Sequence, residues 1–190
     1  MGELHRSFTP DLEVRSGGDG RTIVGIAVPY GRPQRIDAGL TEQFARGAFS
    51  AQLRAAHRVR FAREHVQLGG SLIGATQLLR DDAAGLYGEW RVSRTALGDE
   101  TLELVRDGAL RELSIGFREG QNRRLAGGVL ERVSATLTEV AVVQEGAYGE
   151  LAAVAAVRSA DTGCSCGGSS NRDRAAQILA GLPVLPATPR

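Results

Sequence analysis

The sequence predicts an α+β domain built on a curved or closed, mainly antiparallel β-sheet. Short runs of alternating or wholly apolar residues, which are typical of strands, recur through the middle of the chain. In the same region two stretches follow the spacing of a helix, and both lie between predicted strands; a third, at 174–182, could form a short helix before Pro183. The 25 glycines and 6 prolines among the 190 residues exceed the usual share of about 12%, which indicates many turns between short strands.

Six strands are predicted. The first is an apolar, β-branched run that is closed by Pro29 and Gly31. In the second, Val59 and Phe61 alternate with polar residues and are expected to face inward. The sequence Asp-Asp-Ala-Ala-Gly at 81–85 is predicted to join the third and fourth strands as a hairpin turn. In chain order, the predicted strands cover residues 22–28, 59–65, 71–79, 86–92, 112–118 and 129–143.

Two helices are predicted between these strands. Apolar residues recur at helical spacing across 41–56, where Thr41 is the expected N-cap. The second helix is predicted over 101–107, with Asp99 as its cap and Gly108 near its end. Its buried face is expected to consist of Leu102, Val105 and Ala109.

The composition divides the chain into three regions. Residues 1–20 end in Ser-Gly-Gly-Asp-Gly and are expected to be a flexible N-terminal segment. Residues 21–158 carry almost all of the periodic apolar pattern and are expected to be the folded domain. Residues 159–190 begin with a Ser- and Gly-rich stretch and are expected to be a flexible C-terminal tail. Cys164 and Cys166 are expected to be reduced thiols in that tail rather than metal ligands.

Charge and hydropathy exclude several classes of protein. The formal net charge is +1, which is unlike the basic surface of a nucleic-acid-binding domain. No apolar run approaches the about 20 residues that a membrane-spanning helix needs, and no secretory signal is visible at residues 1–10. All 23 basic residues are arginines, which excludes catalysis by a lysine amine. We therefore expect an intracellular protein with neither nucleic acid nor membrane as a partner.

Two side chains stand out on the last two predicted strands. Glu139 lies in an apolar row of its strand, and a buried carboxylate needs a partner, either an arginine in a structural ion pair or a group at a functional site. Ser114 shares a face with Gly116, which leaves open space above the strand. A serine on a strand is usually only a hydrogen-bonded hydroxyl. The segment is not the Gly-x-Ser-x-Gly motif of the α/β-hydrolases, since Glu112 stands where that motif has its first glycine.

Three histidines are candidates for the base that a serine nucleophile requires. His5 lies in the segment expected to be flexible, and His57 is expected in a turn. His65 ends a predicted strand on the side of its inward-facing residues. His65, Ser114 and Glu139 would supply a base, a nucleophile and an orienting acid from three different strands. From spacing alone, a purely structural role for each of them stays open.

An ordered set of short motifs resembles the prohead maturation proteases of tailed phages, which are relatives of the herpesvirus assemblins. The likeness covers residues 21–156. The motifs are Gly-Ile-Ala-Val-Pro-Tyr at 25–30, Glu-Gln-Phe-Ala-Arg-Gly-Ala-Phe at 42–49, Glu-His at 64–65, Leu-Ile-Gly at 72–74, Asp-Asp-Ala-Ala-Gly-Leu at 81–86, Arg-Asp-Gly-Ala at 106–109, Leu-Ser-Ile-Gly-Phe at 113–117 and Thr-Glu-Val-Ala-Val-Val at 138–143.

The resemblance places the family's catalytic histidine on His65, its serine on Ser114 and its acid on Glu139. It implies a mainly antiparallel β-barrel of the assemblin type with a few flanking helices. Val66 departs from the family pattern, in which aspartate or asparagine often follows the histidine, and Ala141 stands where serine is common.

The resemblance further implies a serine endopeptidase that needs no cofactor or metal. It would cleave itself and segments of the capsid or scaffold protein inside the immature capsid, in the host cytoplasm. Its partners would be the major capsid protein precursor and that precursor's scaffold segment, and a homodimer is left open. Two alternatives remain. One is a catalytically inactive internal scaffold or capsid-assembly protein with the same fold. The other is a ligand-binding barrel, which would need an apolar cavity and no proximity of Ser114 to His65.

Overall fold

The structure is a computed structural model that describes residues 4–8, 19–144 and 154–158. Within these ranges the chain forms twelve β-strands and two α-helices, α1 (Ser50–Leu53) and α2 (Ala96–Arg106). The strands are β1 (Leu4–Phe8), β2 (Thr22–Pro29), β3 (Gln34–Arg35), β4 (Thr41–Phe44), β5 (Arg60–Arg63), β6 (Ser71–Asp81), β7 (Gly85–Val92), β8 (Glu112–Glu119), β9 (Asn122–Arg124), β10 (Leu130–Arg132), β11 (Ala135–Val143) and β12 (Val154–Arg158).

Most of the strands belong to one curled sheet of eight strands, in the order β1-β8-β11-β5-β6-β7-β2-β12. Its neighbours are antiparallel except β5 and β11, which run parallel. The sheet curls so far that β2 contacts β1 and β8. A second sheet, in the order β3-β4-β10-β9, lies alongside. The mainly antiparallel, curved sheet with few helices is confirmed.

The inner face of the curled sheet encloses the main apolar core. The Phe61 and Trp90 rings stack at a centroid distance of 5.7 Å. Phe44 contacts Phe49 at 5.2 Å and Phe117 at 5.1 Å. All five rings are fully buried, and burial of each large apolar side chain stabilises the fold by about 1.5–3 kcal/mol.

The predicted helix over 41–56 is wrong. Thr41–Phe44 is strand β4, and only Ser50–Leu53 is α-helical. Gly47 separates the two with a left-handed backbone at φ 82°, which no helix can continue through. Phe44 and Phe49 are buried as the pattern required, but they reach the core from a strand and from a turn. Strand pairing of β4 with β10 therefore prevailed over local helical spacing.

Two other predicted boundaries change. The long strand predicted over 129–143 divides into β10 and β11, which belong to different sheets. Helix α2 begins five residues before the predicted start, and its N-cap is Thr95, whose Oγ1 accepts from Gly98 N–H at 3.1 Å. Leu102 and Val105 are buried as expected, whereas Ala109 is exposed.

Residues 4–8, within the segment expected to be flexible, form the edge strand β1, which pairs antiparallel with β8. A buried ion cluster fixes this strand. Glu42 on β4 is fully buried between Arg6 on β1 and Arg132 on β10, and Arg132 Nη2 lies 2.7 Å from Glu42 Oε2. Arg132 also pairs with Glu119 on β8. The charged groups thus join β1 to both sheets.

Residues 159–190, with Cys164 and Cys166, lie outside the described ranges. Within those ranges, no helix is long and apolar enough to cross a membrane.

Candidate active site

Ser114, His65 and Glu139 meet on the outer face of the curled sheet, where β8, β11 and β5 lie side by side. The Nε2 atom of His65 lies 2.6 Å from Ser114 Oγ, and its Nδ1 atom lies 2.8 Å from Glu139 Oε1. With the ring proton on Nδ1, His65 donates to Glu139 and accepts from the Ser114 hydroxyl. The three side chains form one continuous hydrogen-bonded chain.

Burial distinguishes this arrangement from a surface contact. The exposed fractions are 4% for Ser114, 5% for His65 and 0% for Glu139. Hydrogen bonds and charge interactions are stronger where water is excluded, and an unpaired polar group there would be costly. The arrangement can therefore move a proton from the Ser114 hydroxyl to the imidazole while the carboxylate stabilises the resulting positive charge.

Strand alternation positions Ser114. On β8, Leu113, Ile115 and Phe117 are fully buried in the core, as their alternation predicts. Ser114 and Gly116 therefore face the opposite, outer side of the sheet. Gly116 has no side chain, so it adds no Cβ to the face that carries the hydroxyl.

A β-bulge positions Glu139, and it corrects the predicted face of this residue. The pairing with β8 shifts by one residue, since Leu137 pairs with Phe117 whereas Glu139 pairs with Gly116. Thr138 is the extra residue, and its Oγ1 donates to the carbonyl of Gly116 at 2.8 Å. The bulge turns Glu139 out of the core row and onto the face of Ser114. The only trace in the sequence is the three-residue step from Leu137 to Val140 between inward-facing residues.

A compact turn positions His65, which lies beyond the end of β5 rather than within it. Glu64 has a positive φ of 54°, which breaks the strand alternation and carries His65 to the outer face. The carbonyl of His65 accepts from the N–H groups of Leu68 at 2.8 Å and Gly70 at 2.9 Å. A side chain at position 70 would bring its Cβ within 2.2 Å of the Glu64 carbonyl oxygen, so only glycine fits. The turn therefore fixes the backbone that carries the imidazole.

Three groups surround the buried carboxylate of Glu139. Its Oε1 accepts from His65 and, at 3.3 Å, from the N–H of Val66. Its Oε2 lies 3.5 Å from Arg60 Nε. The sequence left an arginine in a structural ion pair and a group at a functional site as alternative partners, and in the structure Arg60 and His65 both lie beside the carboxylate. His65 and Val66 thus supply hydrogen bonds to Oε1, whereas Arg60 supplies positive charge beside Oε2, which accepts no hydrogen bond among the described residues.

Sequence reasoning missed His5 at this site because β1 was not predicted. The pairing of His5 with Gly116 puts it on the outer face, and its ring centroid lies 3.9 Å from that of His65. His57, the third histidine, is exposed in the turn after α1.

The donor atoms of His5, His65 and Glu139 lie within 4.8 Å of one another, close enough to be considered as metal ligands. Both ring nitrogens of His65 are already hydrogen-bonded to Ser114 and Glu139. A metal held by His65 would have to displace one of these bonds. The donor set therefore fits a proton relay better than a metal centre.

Comparison with known proteins agrees with this chemistry. The family model described as caudovirus prohead serine protease matches residues 10–163. Among solved structures, gp21, the capsid assembly protease of bacteriophage T4, aligns with a TM-score of 0.52 and 14% identity, over 74% of this chain and 96% of that chain. At that identity the likeness shows a common fold alone. A search of curated proteins gave no match. Since the family model spans most of its length, the chain belongs to the caudovirus prohead serine protease family.

Proposed function

We propose that the protein is a serine endopeptidase of capsid maturation in which Ser114 is the nucleophile, His65 the general base and Glu139 the orienting acid. The observation that carries this assignment is the buried hydrogen-bonded chain from Ser114 Oγ through both ring nitrogens of His65 to Glu139 Oε1. Membership of a prohead serine protease family supports the same chemistry.

In the proposed reaction, Ser114 Oγ attacks the scissile carbonyl carbon as His65 Nε2 takes the hydroxyl proton. His65 then donates this proton to the leaving amine, which gives an acyl-enzyme on Ser114. A water molecule, deprotonated by His65, hydrolyses the ester and restores the serine. Glu139 holds the imidazole with Nδ1 protonated and stabilises its cation in both steps. Arg60 lies 3.5 Å from the far oxygen of Glu139 and places a positive charge beside that carboxylate.

The proposed substrates are the N-terminal scaffold segment of the major capsid protein precursor and the protease itself, within the immature capsid of an infected host cell. Membership of a family of prohead proteases supports this location and these partners. Small residues in 159–190 offer bonds for self-cleavage. The curled sheet with few helices supports a barrel of the assemblin type, and a homodimer is part of the same proposal.

The ligand-binding alternative required that Ser114 and His65 lie apart. The 2.6 Å contact between them does not meet this requirement. The inactive scaffold alternative retains the fold, so only the chemistry of the serine separates it from the protease.

Co-expression with the capsid protein precursor tests the proposal, with intact masses as the readout. We expect the wild-type chain to shorten both the precursor and itself, and Ser114→Ala to leave both at full length. Ser93→Ala, which removes an exposed hydroxyl elsewhere, is the matched control and should behave as wild type. Precursor cleavage by Ser114→Ala would refute the assignment of the nucleophile. Full-length products from the wild type would favour the inactive scaffold.

A further inference from the structure

A cleft of about 540 Å³ opens beside the candidate triad. It is lined by residues 136–138 of β11, by Arg118 of β8 and by residues of α1 and the following turn. Arg58 and Arg60, before and at the start of β5, complete it. We call this depression, with Arg58, Arg60 and Arg118 on its surface, the arginine cleft.

The charges of the arginine cleft are unbalanced. No acidic residue lies among its described lining residues, and the carboxylate at its edge, Glu139, is 3.5 Å from Arg60 and already shared with His65. Several arginines elsewhere pair with carboxylates, as Arg63 does with Glu100 at 2.7 Å. Like charges around one concave surface attract anions, and the guanidinium fork matches the geometry of a carboxylate.

Strand geometry connects the arginine cleft to the nucleophile. Ser114, Gly116 and Arg118 alternate on β8 and therefore share the outer face, and Thr136 lies directly opposite Arg118 on β11. At about 3.3 Å per residue, the Cα of Arg118 lies roughly 13 Å along the strand from that of Ser114. An extended peptide covers this distance in about four residues, and the length of the arginine side chain reduces the requirement to three or four.

We propose that the arginine cleft is a specificity subsite that binds an aspartate or glutamate side chain of the substrate polypeptide, three or four residues from the cleaved bond. The proposal rests on the proposed function, since it needs a peptide bond at Ser114. A polypeptide is the occupant that this geometry favours, because the cleft and the serine share one face of three adjacent strands. A net charge of +1 gives the whole chain little attraction for nucleic acid.

The first experiment profiles the cleavage sites of the purified full chain on a denatured bacterial lysate, read by mass spectrometry. We expect Asp and Glu to be enriched at one position, three or four residues from the cleaved bond. In Arg118→Gln and Arg58→Gln that enrichment should fall, and in Arg118→Glu it should give way to Lys and Arg. Arg94→Gln, which alters an exposed arginine outside the cleft, is the matched control and should keep the wild-type profile.

The second experiment uses one peptide with the preferred sequence in two forms, with Glu or with Gln at the enriched position. A charge-assisted hydrogen bond predicts that wild type favours the Glu peptide about tenfold in kcat/KM. Arg118→Gln should lose most of this preference through a higher KM for the Glu peptide, with kcat little changed, because the contact binds substrate and transition state alike. Arg60 is left unchanged because it contacts Glu139.

Labelling of Ser114 by a fluorophosphonate, seen as a mass shift, distinguishes failure of the proposed function from failure of the subsite proposal. If wild type neither labels nor cleaves, the proposed function is wrong and the subsite proposal falls with it. If wild type labels and cleaves without preference for acidic residues, or if Arg118→Gln keeps that preference, the subsite proposal alone is refuted. Binding of a short DNA duplex that Arg118→Gln abolishes, with no acidic preference in cleavage, would instead make the cleft a nucleic-acid surface.

Discussion

The carboxylate of Glu139 has two different oxygens, one facing the imidazole and the Val66 amide and the other facing Arg60. A neutral amide at this position would have nearly the same shape, but its NH₂ group cannot accept a hydrogen bond. If the amide oxygen faces His65, the ring keeps its orientation but loses the negative charge that stabilises its cation. If the NH₂ faces the ring, Nδ1 must accept and the tautomer is wrong for catalysis.

We therefore predict that Glu139→Gln folds but lowers the cleavage rate by about 10⁴-fold, since replacement of the orienting carboxylate by its amide has an effect of this size in serine proteases. The measurement is the rate of precursor cleavage, with thermal unfolding to show that the fold is retained. Glu103→Gln, on the exposed side of α2, should change neither. A Glu139→Gln rate within tenfold of wild type would assign the carboxylate a structural role.

At the scale of single residues, the sequence supplied the chemistry of the site but not its geometry. Ser114 could be placed because Leu113, Ile115 and Phe117 alternate without interruption. Glu139 was assigned to the core row because a bulge carries no signal of its own in an alternating pattern. The roles of the three residues stay predictions that the variants test.

At the scale of elements, errors occurred where long-range pairing opposed a local pattern. Residues 41–56 contain apolar residues at helical spacing, yet β4 pairs with β10 and Gly47 ends any local helix. In contrast, the strands 71–81 and 85–92 were predicted closely because their hairpin is local and its turn contains Asp82 and Gly85. Turn chemistry is readable from sequence, whereas pairing between distant segments is not.

The cap of α2 gives a prediction at this scale. Thr95→Ala removes the hydroxyl that accepts from Gly98 N–H and should lower the free energy of unfolding by about 1 kcal/mol. Asp99 is the residue that the sequence suggested as the cap. Asp99→Ala removes an ion pair with Arg21 in which the carboxylate is exposed, and it should lower the free energy of unfolding by less. Urea unfolding of the two variants decides between the caps. A larger loss from Asp99→Ala would contradict the cap assignment.

At the scale of the whole molecule, the buried ion cluster holds β1 and the two sheets together. The sequence gives no sign of this cluster, because its members are far apart along the chain. Arg6 and Glu42 are 36 residues apart, and Glu42 and Arg132 are 90 residues apart. Burying three charges is costly unless all remain paired, so the cluster is sensitive to the loss of its central anion.

We predict that Glu42→Ala lowers the free energy of unfolding by about 3–5 kcal/mol, since it leaves two buried guanidinium groups without their shared carboxylate. Equilibrium unfolding in urea measures this loss. Replacing the three residues together, as Arg6→Met, Glu42→Leu and Arg132→Met, should restore most of it because no buried charge then remains. A loss below 1 kcal/mol for Glu42→Ala would show that the cluster contributes little.

The general architecture was predictable because strand runs, glycine content and turn residues all favour a curved antiparallel sheet. Strand β1 was not, because its five residues include only two strongly apolar ones, Leu4 and Phe8. Because β1 was not predicted, the positions of His5 at the site and of Arg6 in the buried ion cluster were not predicted either. The second sheet was missed for a similar reason, since its strands have only two to four residues each.

The bulge at Thr138 has a genetic consequence. Deletion of that one codon would give simple alternation along β11, with Leu137 still inward, Glu139 next to it outward and Val140 inward, so the acid would still face the imidazole. The deletion would remove the hydrogen bond from Thr138 Oγ1 to the Gly116 carbonyl but would leave every side chain of β11 on its present face. Active members of the family are therefore expected both with this extra residue and, one residue shorter, without it.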